Sequence, residues 1–310
     1  MGKKRLRNLL EKEGWVYEFL AEEYRADKEL ACVAVNNGDV FEFVPKKLKR
    51  DKEIILAAIE WGGLPDDLDE KWLHDIDIIR ALVAVEPWNY EELPENVQNK
   101  REIALECVKV RGDVFEYLPE KLKIDEEIAE AAIRHGQSLK EFVNSLTHPT
   151  SEIAEKLLSR EDLVHTAIKA NGGNQMIYAA KELWKKKKLA KFALDEGFCH
   201  LRYLPEKLAA DKETVKHVIK NIPEDNSSDE YFQLIYLPEQ LRQDKEFLLE
   251  LIGIHEMVFR IIARSQKDPK LEELFTKFPK LDTAFCKQAY AVNKKCLKYM
   301  NKEMKAAVKE

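Results

Sequence analysis

The chain has 310 residues, with 51 lysines and arginines against 57 aspartates and glutamates, for a formal charge of −6. At 45% hydrophobic and 35% charged, with 11 glycines and 11 prolines, it can build a core, and collagen-like or Pro/Gly-rich disordered classes are excluded. No stretch of about 18 apolar residues marks a membrane span. No apolar segment follows the basic start Met1-Gly-Lys-Lys-Arg to form a secretory signal. Cys32, Cys107, Cys199, Cys286 and Cys296 are scattered and lack a C-x-x-C pair, which suits reduced thiols in a cytoplasmic protein.

In chain order, a basic capping helix over residues 1–13 comes first. Glycines then recur at a fixed interval: Gly14, Gly38 and Gly62 are 24 residues apart, as are Gly112 and Gly136, and Gly173 and Gly197. Such a period is the signature of a helical repeat array. Each glycine stands where a helical pattern stops, the place for a left-handed helix terminus. The text between them repeats too. Gly38-Asp-Val-Phe-Glu-Phe-Val-Pro-Lys-Lys-Leu-Lys-Arg-Asp-Lys-Glu returns as Gly112-Asp-Val-Phe-Glu-Tyr-Leu-Pro-Glu-Lys-Leu-Lys-Ile-Asp-Glu-Glu. Later copies are Tyr203-Leu-Pro-Glu-Lys-Leu and Tyr236-Leu-Pro-Glu-Gln-Leu, and weaker ones start at Leu64-Pro65 and Leu93-Pro94.

Each repeat reads as a short helical turn, a bend before proline, a second short turn, and then a helix of about three turns. Asp27, Asp51, Asp75, Asp125, Asp211 and Asp244 stand where an N-cap belongs. The helix after Asp51, Glu53-Ile-Ile-Leu-Ala-Ala-Ile-Glu-Trp, is apolar nearly all round and must be covered on several sides. Stacking of repeats supplies that cover, so the expected class is an all-α solenoid of roughly 24-residue repeats. Regular repeats span 14–136, an irregular repeat or kink 137–172, further repeats 173–253, and lysine-rich capping helices 254–310, in one continuous array. Within the irregular stretch, helices are expected at Glu152–Leu158 and Glu161–Ala170, the second opened by a capping-box-like pair, Ser159 and Asp162. The polar segment from Pro223 to Asp229 reads as an exposed loop.

With this motif written out, residues 14 to 253 resemble the domain-of-unknown-function family 4116. In that family a Leu/Ala-x-x-Leu-x-x-Asp-x-Glu segment leads into an apolar helix ending near Asn-Gly. Asn36-Asn37-Gly38 and Asn171-Gly172 resemble that helix ending. The resemblance implies a helical repeat fold and, loosely, protein interaction, and it assigns no catalytic residues.

Candidate chemistry is sparse. Gly172-Gly173-Asn-Gln lacks both the Walker and the dinucleotide-binding patterns. The seven histidines form no metal motif; Glu213 with His217 and the adjacent Cys199-His200 are weak signals, and the Asp-Lys-Glu triplets read as helix punctuation. No cofactor is expected. Trp61 and Trp88 are the candidate protein-binding residues, whereas Trp15, Trp72 and Trp184 read as fillers between repeats. Lys185, Lys186, Lys187, Lys188 and Lys191, together with Lys294, Lys295 and Lys298, are candidate contacts for nucleic acid or another anion. The last 41 residues, from Lys270, hold ten lysines and five acids. The leading expectation is a non-enzymatic scaffold that binds another protein, of adaptor, inhibitor, immunity or effector type. The alternatives are nucleic-acid binding through those lysines, and an enzyme site near His148 and His165.

Overall fold

The computed structural model describes residues 2–62, 64–65, 68–146, 152–223, 234–265 and 278–309, and among these every regular element is helical, with no strand. The chain forms two compact units, Met1–Ala170 and Asn171–Glu310.

In the first unit the long helices are α1 (Lys3–Leu10), α2 (Lys28–Val35), α3 (Lys52–Gly62), α4 (Ile76–Val85), α5 (Arg101–Val110) and α6 (Glu126–Arg134). They are followed by α7 (Leu139–Asn144), α8 (Glu152–Leu158) and α9 (Glu161–Asn171). From α1 to α6 each helix packs against the next. Between them the chain makes a tight 3-10 turn, such as Gly14–Phe19 or Gly112–Tyr117. An extended residue and a single α turn then follow, Glu22–Arg25 or Glu120–Lys123. The second unit holds α10 (Lys187–Asp195), α11 (Lys212–Asn221), α12 (Lys245–Ile254), α13 (Met257–Ser265), α14 (Thr283–Val292) and α15 (Lys302–Lys309). There α10 packs on α11, α11 on α12, α12 on α13 and α14, and α14 on α15.

The core is built from the nearly all-apolar helices. Ile54, Ile55 and Ile59 of α3 and Ile78, Ile79, Leu82 and Val83 of α4 are fully buried, each contributing roughly 1.5–3 kcal/mol. Most of the 3-10 turns add a buried ring or apolar side chain: Tyr17, Phe41, Tyr90 and Phe115 in the first unit, Met176 and Leu201 in the second; the turn over Glu70–His74 buries none. Tyr17 donates its hydroxyl hydrogen to the Arg25 carbonyl at 2.6 Å, and Tyr90 does the same to Gln98 at 2.7 Å. These bonds tie the 3-10 turn to the end of the short α turn that follows it.

Helix starts are capped by carboxylates. Asp27 accepts from the N–H groups of Glu29 and Leu30, Asp51 from Glu53, Asp75 from Asp77 and Ile78, and Asp125 from Glu127 and Ile128. Asp211 accepts from Thr214, and Asp244 from Phe247. The lysine or arginine that follows a cap has its own task, because it reaches the cap of the next repeat. Lys3 pairs with Asp27 and Glu29, Lys28 with Asp51 and Glu53, Lys52 with Asp75 and Asp77, and Arg101 with Asp125 and Glu127. In the second unit Lys212 pairs with Asp244. The Asp-Lys-Glu triplets are therefore rungs of a ladder as well as helix punctuation.

Four sequence readings need correction. Among the described residues a left-handed φ occurs only at Gly136 (+109°), Gly172 (+85°) and Gly197 (+91°). Gly112 and Gly173 instead open 3-10 turns and press against the end of the next long helix. The Gly112 N–H donates to the His135 carbonyl at 3.0 Å, and the Gly173 N–H to Glu196 at 2.7 Å. A methyl group at Gly173 would meet the Ala193 carbonyl oxygen at 1.9 Å. Next, the repeat after α3 does not begin at Leu64-Pro65: Asp69 caps a 3-10 turn over Glu70–His74, so Leu68-Asp69 takes the Leu-Pro place. Ser159 does not stand at the N-cap of α9 either: the helix starts at Glu161, so Arg160 holds that place, while the Ser159 hydroxyl donates to the Lys156 carbonyl and Asp162 pairs with Arg134 and Arg160. Finally, the pattern continues past Gly253 where the sequence appeared to lose it. Asp282 caps α14 through the Phe285 N–H, and a 3-10 turn over Lys294–Tyr299 follows. Asn301 then accepts from the Met304 N–H at 2.8 Å. Within the irregular stretch residues 147–151 with His148, and elsewhere most of the 223–229 segment and Lys270, lie outside the described residues.

Candidate protein-docking surface

The same turns that bury a ring also present one outward. Two residues after the buried position the chain places Phe19, Phe43 and Tyr117 in the first unit and Tyr178, Tyr203 and Tyr236 in the second; Tyr299 holds the same place in the last turn, where Cys296 is the buried residue. None of the seven is buried, and Phe19 is 69% exposed. Burying the inner side chain directs this later one away from the core. In the second unit the Arg202 guanidinium lies 5.6 Å from the Tyr203 ring and 5.8 Å from the Tyr236 ring, joining two consecutive turns. The Arg260 guanidinium and the Lys298 ammonium approach Tyr299 at 5.8 and 4.8 Å.

Trp61 and Trp88 are 52% and 47% exposed. Trp61 sits in the last turn of α3, on the rim of a pocket of about 250 Å³ with Phe41, Ala58, Leu64 and Pro65. Trp88 follows Pro87 at the start of its 3-10 turn. Trp15 occupies the same place in the first repeat and, read as a filler, is instead the most exposed tryptophan, at 56%. Its indole N–H donates to Glu13, and its ring meets Phe19 edge-on at 6.0 Å. Trp184 is buried against Phe198. The outward aromatic series itself went unread, although the signal was present in the Tyr-Leu-Pro and Phe-Val-Pro triplets.

Beside Tyr117 runs an open groove of about 510 Å³ between consecutive repeats, lined by Glu91, Glu95, Glu116 and Glu120 together with Gln98 and Lys123. Partial burial, followed by the nearby Glu116 and Glu91 carboxylates, pushes the Tyr117 hydroxyl above its ordinary pKa. The groove is therefore electronegative, with the buried Lys123 ammonium held by Glu120 at 3.2 Å.

The lysines divide into two sets. Lys185, Lys186, Lys187, Lys188 and Lys191 are all exposed at the start of α10. Of the C-terminal set, Lys298 and Lys295 face Glu256 at 2.9 and 3.7 Å, and the Lys294 ammonium lies 3.9 Å from the Tyr290 ring. Those three hold the C-terminal turns together. Among the described residues no group of three His, Cys, Asp or Glu side chains is placed to hold a metal ion. His217 meets Asp195 at 3.7 Å, Glu213 pairs with Lys216, and the Cys199 thiol is held by Asn174. His165 is exposed on α9, and His148 lies outside the described residues. The Gly173 N–H is already committed to Glu196. Among the described residues no helix is long and apolar enough to cross a membrane.

No curated protein and no solved structure matches this chain. Residues 34–65 and 100–146 match the model of the family described as Domain of unknown function (DUF4116), and these stretches include the turn–helix–turn pattern described above.

Proposed function

We propose that this protein is a non-enzymatic scaffold that binds another protein, and that its repeats stack as an α-solenoid within each compact unit. Adaptor, inhibitor, immunity and effector roles share this chemistry. The carrying observation is the outward aromatic that returns at one frame position in repeat after repeat, exposed at Phe19, Tyr203 and Tyr236 and half-buried at Phe43, Tyr117, Tyr178 and Tyr299, beside the exposed Trp15, Trp61 and Trp88. Leaving large rings in water is unfavourable, and aromatic side chains are the usual anchors of protein interfaces. A recurrent frame turns single rings into a spaced row, which suits an extended partner better than a pocket does. The sequential helix packing supports the solenoid reading. Five unpaired cysteines, three of them buried, fit a cytoplasmic setting.

The test is a pull-down from the native host at about 0.15 and 0.5 M salt, comparing the natural protein with a Trp15→Ala/Phe19→Ala/Trp88→Ala variant of matched melting temperature. A stoichiometric protein retained at high salt by the natural chain and lost by the variant is the expected result. Equal capture by both would refute the aromatic surface, and turnover of a substrate abolished by one acid or histidine change would refute the scaffold.

A further inference from the structure

The repeats supply their own control for what a helix start should look like, and α10 departs from it. Gly14, Gly38, Gly62 and Gly112 are each followed thirteen residues later by a capping aspartate: Asp27, Asp51, Asp75 and Asp125. Gly173 is followed at that distance by Lys186. Lys186 has the extended backbone of an N-cap, but no side chain caps the helix there. Two residues after the cap those helices carry Glu29, Glu53, Asp77 and Glu127, and α5, which also starts from an uncapped lysine, Lys100, carries Glu102. In α1 the first turn also lacks an acid, but its Lys3 is paired with Asp27 and Glu29. In α10 the position holds Lys188, and the first turn has no acid. Cations at a helix N-terminus oppose the backbone dipole, so this arrangement is unfavourable for folding. A sequence that breaks its own rule without a structural gain marks a place under another demand.

Lys181, Lys185, Lys187, Lys188 and Lys191 are exposed, and none makes an ion pair among the described residues. Lys187 stands where the ladder elsewhere sends a cation to the next cap, yet among the described residues Asp211 accepts only from Thr214. Glu182 is the one acid of the neighbouring 3-10 turn, Asp195 and Glu196 lie at the far end of α10, and Asp195 faces His217. The apolar residues of this segment, Leu183, Trp184, Leu189 and Ala190, are buried beneath the lysines. The face therefore offers concentrated positive charge with no apolar centre.

We propose that this lysine face, from Lys181 to Lys191, docks the phosphate backbone of a nucleic-acid duplex. A stable protein partner needs an apolar or aromatic centre to bury, which the face lacks. A membrane-surface helix inserts apolar side chains, which are here turned inward. A phosphate backbone needs only cations, and release of its counterions supplies the affinity. Lysines are point charges, and without exposed aromatics or arginine forks they read no bases, so binding is independent of sequence. The argument uses none of the aromatic surface and stands or falls separately from it.

The experiment titrates the full chain against a fluorescein-labelled mixed-sequence DNA duplex of about two helical turns, by anisotropy, over increasing salt. Four to five neutralised phosphates give a log–log slope near −4, an affinity loss of about 150- to 500-fold between 50 and 200 mM salt. Lys187→Glu/Lys188→Glu restores acids to the first turn, so its melting temperature is expected to equal or exceed that of the natural protein. Its affinity at about 0.1 M salt is expected to fall at least tenfold, with the slope shallower by about two. Charge-matched Lys302→Glu/Lys305→Glu is expected to bind like the natural chain. Salt-indifferent binding, equal loss in both variants, or tighter capture of poly-glutamate or phosphatidylserine vesicles than of the duplex would overturn the proposal.

Discussion

Gly112→Ala is expected to be among the most damaging small changes in the first unit, although it adds one methyl group. That methyl would stand 2.2 Å from the Ala132 carbonyl oxygen, 2.6 Å from the Gln137 nitrogen and 2.9 Å from the His135 carbonyl carbon. All three are backbone atoms of the α6 terminus, so no side chain can swing aside. Relief requires the 3-10 turn to part from α6, weakening the Gly112-to-His135 and Gln137-to-Ala132 hydrogen bonds, both 3.0 Å. Overpacking costs about 1–3 kcal/mol, and two weakened backbone bonds add up to about 1 kcal/mol each, giving about 1–5 kcal/mol in all. Two other glycines serve as controls. Gly136→Ala meets open space but a φ of +109°, so it should cost only the left-handed strain of about 1–2 kcal/mol. Gly62→Ala meets nothing within 4 Å at the end of a helix and should be neutral or stabilising by up to about 1 kcal/mol. Urea unfolding followed by tryptophan fluorescence in a Trp184→Phe background reports the first unit alone, since the other four tryptophans lie before Ala170. Equal midpoints for Gly112→Ala and Gly62→Ala would refute the close-approach argument.

Other expectations follow from the caps, the ladder and the thiols. Asp125→Ala removes two N-terminal hydrogen bonds of α6 and should cost about 1 kcal/mol; an unchanged urea midpoint would show the cap to be idle. Hydrogen bonds from Lys3, Lys28, Arg101 and Lys212 hold Asp27, Asp51, Asp125 and Asp244 below the ordinary carboxylate range. Arg160, with Arg134, lowers Asp162 to about 2. Carboxylates depressed by folding stabilise above their unfolded pKa of about 3.9 and lose that stabilisation as pH falls through the folded value. The melting temperature should therefore decline from about pH 4 toward pH 2, and a Tm at pH 2.5 equal to that at pH 5 would sink the ladder as a source of stability. Burial pushes the Cys107 and Cys296 thiols up to about 12 and raises Cys32, Cys199 and Cys286 as well. Ellman's reagent should label the native chain slowly and all five thiols after unfolding; immediate reaction of all five would contradict that burial.

Much of the fold was legible because the repeat states each rule several times. Caps such as Asp27 and Asp125 carry a local signal, a carboxylate two or three residues before the N–H groups it receives. The inner ring of the 3-10 turn is equally local. What was missed depends on the partner repeat. The sequence shows a lysine after Asp27, but only the stacking distance of α2 and α3 brings Lys28 to Asp51. Glycine at the start of a repeat suggested a left-handed terminus, whereas the pressure at Gly112 comes from a backbone 20 to 25 residues further on. Leu64-Pro65 misled because Leu-Pro is a strong local cue, while the structural frame placed Asp69 in the proline's role. The pattern beyond Gly253 faded because Lys294 and Asn301 stand in the places of the usual Gly and Pro. The Asn293 amide donates to the Ile252 carbonyl, and the Asn301 side chain caps α15.

A repeat protein separates structural from functional demands better than a single-copy fold, because each position is sampled under the same packing. Where most repeats agree, the shared residue answers to packing, as the buried rings and the aspartate caps do here. Where a repeat departs and the packing is kept by other means, the departure still answers to folding. Asn221, for example, reaches the Leu194 and Phe198 carbonyls with its amide in the second unit. The informative case is a departure that makes the fold worse. Lysines in the first turn of α10 oppose the helix dipole and leave Asp211 outside the ion-pair ladder. The outward rings, exposed or half-buried, are the complementary case: all seven sit in one frame position, and the frame survives without one, because Glu92 occupies it in the repeat that carries Trp88. Packing therefore does not require an aromatic there, and its persistence elsewhere points outward, to a partner. If both inferences hold, changing the rings should leave duplex binding intact, and changing the lysines should leave the protein partner bound.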